Sequence, residues 1–369
     1  MNPFKYGSTV DGEHFCPRPE LERKLASYIE AGQNVVIQGE RRTGKTSLVL
    51  ETVRHMRGVA LFHADFLGVR DQADFCGRLV SALGRLENSD GWLAKILRAL
   101  AHLRPSVTLD PATGAPSVTL DARVAAEPAS LDSVLSALVA QTAKRKICVV
   151  LDEFQDILDL EDGPRTLAVL RGRIQLDSRT AYVFLGSVRN RMTDIFWNSR
   201  SPFFHSAAAF PVGEIDAGAF FRFARKRFAT EGRVLPRETF DEAYAAASRN
   251  PGYTQELCEA LWQTSSEGNT LRPADVARAL EAVFDREREH YVFYVKQLTA
   301  LQFRVLRALA QHGGREIYSA HFLEAANTVN RTSVKKAVAK IEKADLVYRH
   351  ESEYRFVNPF FREWIKRGF

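Results

Sequence analysis

The run Gly39-Glu40-Arg41-Arg42-Thr43-Gly44-Lys45-Thr46-Ser47 sets two glycines, a lysine and hydroxyls at the spacing that cradles a chain of phosphates, G-x-x-x-x-G-K-T. Glycines at Gly39 and Gly44 let backbone N–H groups turn inward and approach phosphate oxygens without a Cβ in the way. A helix starting behind the loop adds roughly half a positive charge at its N-terminus. Lys45 would reach the β- and γ-phosphates and the Thr46 hydroxyl would ligate Mg²⁺, with Arg42, Thr43 and Ser47 as the remaining contacts of the loop.

A second motif lies 106 residues beyond Thr46. Ile147-Cys148-Val149-Val150-Leu151 is an apolar run ending in the adjacent acids Asp152 and Glu153. Taken alone, such an ending is also an ordinary strand-to-turn boundary; behind a phosphate loop it gains chemical meaning. Asp152 is the second candidate Mg²⁺ ligand, directly or through water. Glu153, one residue on, is the candidate general base that orients and polarises an attacking water, which favours hydrolysis over transfer to another small molecule. Ser187, Arg189 and Asn190 follow a third apolar run, Ala181–Leu185, and either sense the γ-phosphate or simply begin a loop. Arg191 and Arg200 are further cations, either fingers acting in cis or toward a neighbour, or solvated surface arginines.

The elements that must hold these groups alternate. An amphipathic helix over Glu20–Ala31 is closed by Gly32. Short β-branched runs at 34–38, 59–62, 146–151 and 181–185 predict buried strands, with helices after the loop and over about 72–86. A last short strand is expected around Phe210-Pro211-Val212. This alternation predicts an α/β fold with a mostly parallel sheet and helices on both faces. Within 105–128, Ser106-Val107-Thr108-Leu109-Asp110 and Ser117-Val118-Thr119-Leu120-Asp121 are copies around a Gly turn, which predicts an inserted β-hairpin without chemistry.

Asp216–His290 reads as helical, broken at Asn250-Pro251-Gly252. Its aromatic and basic run Phe220–Phe228 predicts an amphipathic helix with its rings turned inward, in preference to a membrane or nucleic-acid surface. Leu298–Phe369 predicts three short helices and a terminal strand pair, the plan of a winged helix. Arg331, Lys335, Lys336 and Lys340 lie on or near its third helix, where a reader of duplex DNA would present them to the major groove. Glu351 and Glu353 in the wing would repel phosphate, so DNA contact and docking on protein both stay open.

Composition narrows the classes. The 369 residues are 45% hydrophobic and 26% charged, which excludes collagen, low-complexity sequence and wholesale disorder and suggests two or three domains. Four scattered cysteines without a C-x-x-C pair indicate buried free thiols, not a zinc cluster or disulfide framework. Apolar runs fall far short of the ~20 residues of a membrane span, and the N-terminus lacks a signal-peptide core, so a cytoplasmic protein with no membrane partner is expected. The formal charge of +6 is uneven: residues 296–369 carry 14 Lys/Arg against 7 Asp/Glu. That positive C-terminal part suits phosphates or an acidic partner.

Phe4-x-Tyr6-Gly7, Phe15-x-x-Arg18-Pro19-Glu20-Leu21, the loop through Ser47, Leu151-Asp152-Glu153-Phe154, Gly186-Ser187, Asn250-Pro251-Gly252-Tyr253 and the C-terminal module together resemble the archaeal-type ATPases. These are P-loop proteins of the additional-strand catalytic-glutamate class, related to STAND signalling ATPases and AAA+ origin-recognition initiators. The resemblance runs over nearly the whole chain. It implies a P-loop ATPase core over 1–215 with the hairpin insertion at 105–128, a helical lid over 216–295 and a winged helix over 296–369. It also implies that Arg18 and Val10–Phe15 line the adenine side, that Pro251 and Tyr253 lie near the nucleotide, and that Ser187 and Arg189 occupy the sensor position. Where relatives often carry an arginine after a Pro-aromatic-aromatic stretch, Pro202-Phe203-Phe204 is followed by His205, which makes Arg200 the substitute candidate for a finger.

The expectation is an ATP- or ADP-binding, Mg²⁺-dependent ATPase, slow or stimulated by a partner, that works as a molecular switch. Its nucleotide state would set the winged helix and act on a protein partner, an effector, duplex DNA or further copies of itself. The rival readings are a DNA-bound initiator or loader, and an interaction protein that holds nucleotide without turning it over.

Overall fold

The run Val35–Gln38 lacks polar alternation because it is covered on both faces, as expected inside a parallel sheet. In the computed structural model, the described residues are 2–86, 106–109, 116–119, 128–187 and 189–368. They fall into two units, Asp11–Gly213 and Met1–Val10 with Glu214–Phe369.

The strands of the first unit are β1 (Val35–Gln38), β2 (Val59–Asp65), β3 (Ser106–Leu109), β4 (Pro116–Thr119), β5 (Lys146–Asp152), β6 (Ala181–Gly186) and β7 (Ala208–Ala209). Five of them form one sheet in the order β2-β5-β6-β1-β7, every neighbour parallel. An additional strand, β6, therefore separates the loop-bearing strand from the acid-bearing one. Gln38 pairs with Gly186 and Leu151 with Phe184, so β1, β5 and β6 end along one edge. In open parallel sheets that carboxyl edge is where ligands bind.

The described helices of this unit are α1 (Pro19–Glu30), α2 (Lys45–His55), α3 (Gln72–Arg85), α4 (Pro128–Thr142), α5 (Gly163–Gln175) and α6 (Arg189–Phe196). Gly32 turns the chain out of α1 at φ 67°, and a Cβ there would stand 3.1 Å from the Ser178 and Arg179 carbonyl oxygens. Behind the acid-bearing strand end, Phe154 packs 4.8 Å from Phe184, 6.0 Å from Phe196 and 5.6 Å from Phe203 between ring centroids. Such buried ring pairs contribute about 0.5–1.5 kcal/mol each beyond area burial. They hold the turn after Glu153 rigid.

One expectation needs correction here. The last strand is Ala208–Ala209, paired with β1, rather than a strand around Phe210. Phe210 follows it as a buried side chain whose N–H still reaches the Val36 carbonyl at 2.9 Å. The duplicated segments do pair, β3 antiparallel to β4, but in the register Ser106 to Thr119, which starts the second strand at Pro116.

The second unit contains α7 (Ala217–Phe228), α8 (Arg237–Ala246), α9 (Pro251–Gln263) and α10 (Pro273–Lys296). As expected, α7 turns Phe220, Phe223 and Phe228 inward, while Arg225 and Lys226 stay exposed. The N-terminal segment belongs here: Phe4 lies 5.0 Å from Phe228, and the Arg286 guanidinium sits over Tyr6 at 5.2 Å.

α11 (Ala300–His312), α12 (Ala320–Ala325), α13 (Arg331–Lys343), β8 (Val347–His350) and β9 (Glu353–Phe356) build the winged helix. The chain does not end on that strand pair. A further helix, α14 (Pro359–Lys366), follows, capped by Asn358 with Pro359 in its first turn. Phe361 and Trp364 of α14 lie 5.1 and 5.5 Å from Tyr291 of α10, and Asn358 donates to the Tyr291 hydroxyl at 3.4 Å. These contacts fuse the winged helix to α10 within the second unit.

All four cysteines are buried thiols outside any disulfide. Burial pushes the Cys76, Cys148 and Cys258 thiols up to about 12. At pH 8 their thiolate fraction is then on the order of 10⁻⁴. Iodoacetamide should leave these three unmodified in the native protein and label them after denaturation, read by mass spectrometry. Rapid native labelling would contradict this packing.

Candidate functional site

Between β1 and α2 the chain makes a tight loop. Arg42 sits at φ 63° and Gly44 at φ 79°, and such left-handed residues turn successive N–H groups to one side as an anion nest. Gly39 N–H bonds the Gly186 carbonyl at 3.2 Å, which ties the start of the loop to the end of β6. Thr43 Oγ1 donates to the Glu40 carbonyl at 3.0 Å, and Ser47 is buried at the start of α2.

Lys45 is only 7% exposed, and its Nζ donates to the Gly39 and Glu40 carbonyls at 3.0 and 2.7 Å. Burial lowers its affinity for the proton, and the Glu153 and Asp152 carboxylates oppose that effect. Arg18 is also buried and donates from Nη2 to the Thr43 carbonyl at 2.7 Å and from Nη1 to the Gly213 carbonyl at 3.4 Å. It braces the loop.

Thr46 Oγ1 donates to Asp152 Oδ2 at 2.7 Å, bringing together the two residues expected to hold Mg²⁺. Burial works to raise the Asp152 carboxyl, but His63 and Thr46 beside it, with the Glu153 N–H, hold it below the usual range. His63 Nε2 stands 3.6 Å from Oδ2, too far for a hydrogen bond.

Glu153 lies at φ 46°, so the chain turns sharply out of β5. Its Oε2 accepts from Ser187 Oγ at 2.7 Å, Ser187 N at 3.3 Å and Gln155 Nε2 at 2.6 Å.

A buried ammonium, a nest at a helix N-terminus, and a hydroxyl and carboxylate 2.7 Å apart suit a polyphosphate and a hard divalent cation. The residues fit the pair: the loop and Lys45 would hold phosphates, Thr46 and Asp152 the Mg²⁺. That ion would supply charge neutralisation on the phosphates.

Gly39, Thr43, Gly44, Lys45, Thr46, Asp152, Glu153 and Ser187 thus lie together at the ends of β1, β5 and β6, with Arg18 against the Thr43 carbonyl. Among the finger candidates, Arg200 is exposed on the turn after α6. Arg191 is engaged by Asp159 at 2.8 Å and Asp156 at 3.6 Å, which argues against a free finger. Arg189 opens α6, and its side chain lies outside the described residues. Pro251 and Tyr253 belong to the second unit. There the Tyr253 hydroxyl donates to the Val357 carbonyl at 3.1 Å and its ring meets Phe360 edge-on at 5.4 Å.

Two site residues escaped the sequence reading. Strand pairing alone brings His63 to Asp152, and no local pattern marks it. Gln155 carried a faint signal, a polar residue between Phe154 and Ile157 in an otherwise buried turn.

On α13, Arg331, Lys335, Lys336 and Lys340 are all exposed, while Val334, Ala337, Val338 and Ile341 face inward. Arg355 meets the wing residue Glu353 at 3.1 Å and Arg315 approaches it at 3.9 Å, which offsets its charge.

Residues 289–367 match the family model described as a probable winged helix domain. No curated protein matches the sequence. Among solved structures, the Walker-type ATPase PABY2304 of Pyrococcus abyssi superposes with a TM-score of 0.66 at 17% identity, over 97% of this chain and 98% of that one. The Aeropyrum pernix ORC2 protein, solved as ADPNP-ADP complexes, gives 0.54 at 13% identity over 94% and 91%. The ORC1 protein of the same organism, solved in complex with DNA, gives 0.52 at 14% identity over 95% and 92%. The chain therefore has the fold of an origin-recognition-like P-loop ATPase with a C-terminal winged helix. No described helix is long and apolar enough to cross a membrane.

Proposed function

We propose that this protein binds ATP with Mg²⁺, hydrolyses it slowly or on stimulation, and uses its nucleotide state as a switch. One observation carries the reading: Lys45, the Thr46–Asp152 pair and the Glu153–Ser187 pair meet at the carboxyl edge of β1, β5 and β6. In the proposed reaction Lys45 and the loop N–H groups neutralise the phosphates. Thr46 and Asp152 hold the cation, and Glu153 takes a proton from the attacking water. The chain passes between the units at Val10–Asp11 and Gly213–Glu214, and the switch would act through those connections. Functionally we keep three parts, the core, the helical lid and the winged helix. Arg200 is retained as the candidate finger toward a second copy, and a protein effector as an alternative recipient of the signal.

A second reading, an initiator-type ATPase that acts on duplex DNA, is favoured by a specific feature. The basic face of α13 is exposed, whereas the contacts to the lid come from α14 and the Val357 carbonyl. The fold shared with an ORC1 protein solved on DNA supports the same output.

ATP turnover with and without duplex DNA tests both readings. Stimulation by DNA favours the initiator-type reading, and turnover indifferent to DNA favours a protein partner. Binding to duplex DNA should weaken steeply with salt. Lys335→Glu with Lys336→Glu should lower affinity about tenfold or more and reduce the salt slope by roughly two. A double variant that binds DNA like the parent, measured by fluorescence anisotropy, removes α13 as the contact.

A further inference from the structure

Gln155 is 1% exposed, yet its amide is neither solvated nor part of a backbone ladder. Its Nε2 donates to Glu153 Oε2 at 2.6 Å and to Asp156 Oδ1 at 3.0 Å. Two flanking carboxylates fix the orientation of the amide, because the opposite flip would set a carbonyl oxygen against both. The other end, Oε1, is buried without a hydrogen-bond partner. Space for it is made by Gly186 at the end of β6, where a Cβ would fall 2.6 Å from this Oε1. Asp156 is itself held, accepting from Gly68 N–H at 2.8 Å and pairing with Arg191 at 3.6 Å. The amide is thus anchored on one side and grips Glu153 on the other.

We propose that Gln155 is a positioning residue for the ATPase reaction, fixing which oxygen of Glu153 is free to act. Among the described residues, the donors that meet this carboxylate all reach Oε2: Gln155 from one side, Ser187 from the other. That leaves Oε1, which no described donor engages, as the oxygen to take the proton from water. The clamp also holds the carboxylate in one rotamer on the turn at φ 46°. An untethered carboxylate loses the alignment on which proton abstraction depends. This inference rests on the hydrolytic reading above.

The test uses the full chain with Gln155→Met, which keeps shape and removes the donor, and Gln155→Glu, which keeps length and removes it differently. Both are compared with the parent and with Glu153→Gln for kcat, KM for ATP, affinity for a fluorescent ADP analogue and thermal melting. A positioning role predicts that kcat falls about 10- to 100-fold while KM and ADP affinity change by less than roughly threefold. Should neither substitution at the buried site fold, Asp156→Asn loosens the same anchor and should show the same split, though smaller. Parental kcat in folded Gln155 variants, with Glu153→Gln inactive, overturns the positioning role and leaves hydrolysis standing. Loss of kcat and nucleotide affinity together also overturns it, in favour of a structural role. Undiminished turnover by Glu153→Gln removes the base itself, and the positioner falls with the hydrolytic reading.

Discussion

Glu153→Gln should bind ATP about as tightly as the parent and turn it over at least ~100-fold more slowly, the usual contribution of a general base. The substitution is nearly isosteric. An amide oxygen in place of Oε2 still accepts from Ser187 Oγ, so the turn at the end of β5 and its aromatic backing survive. Lys45 keeps its two carbonyl partners, and Thr46 keeps Asp152, so every group assigned to phosphate and cation is untouched. What disappears is the group able to take a proton from water. The variant should therefore elute from gel filtration with intact ATP, whereas the parent under the same conditions carries ADP. A variant that hydrolyses at the parental rate would show that Glu153 only shapes the turn.

The legible part of this site was the part written contiguously. The loop from Gly39 to Ser47 and the strand end at Asp152-Glu153 each place chemistry within one short run, where glycine geometry, a helix start and an apolar strand are local properties. The sheet was legible for the same reason, since uninterrupted apolar runs mark strands covered on both faces. Partners set by pairing were not. His63 reaches Asp152 only because β2 lies beside β5, and nothing in Val59–Asp65 announces that neighbour. Asn250-Pro251-Gly252 was legible as a break between helices, since Asn250 caps α9, whereas the bond from Tyr253 to Val357, about 100 residues away, is again set by tertiary packing. The last helix was missed because Tyr354–Val357 already completed a winged-helix plan. The signal was present in Asn358-Pro359, a cap followed by proline in the first helical turn.

Lys45→Ala should weaken ATP and ADP binding about 100-fold or more, with melting behaviour that shows a folded chain. Two charge-assisted hydrogen bonds end in that ammonium, each worth roughly 1.5–3 kcal/mol where the group is desolvated. In the protein alone those bonds go to the Gly39 and Glu40 carbonyls at 3.0 and 2.7 Å, acceptors at the mouth of the loop that any phosphate must approach. The truncation removes the only buried ammonium described between β1 and α2, while the nest formed at Arg42 and Gly44 remains. Residual binding in calorimetry would then measure what the backbone contributes by itself. The same variant separates the two parts of the proposed switch. Its basic α13 is unchanged, so salt-sensitive DNA binding should persist, but any difference in that binding between added ATP and ADP should vanish. If ATP still modulated DNA binding by the Lys45→Ala protein, the signal would have to enter the second unit by a route other than this loop.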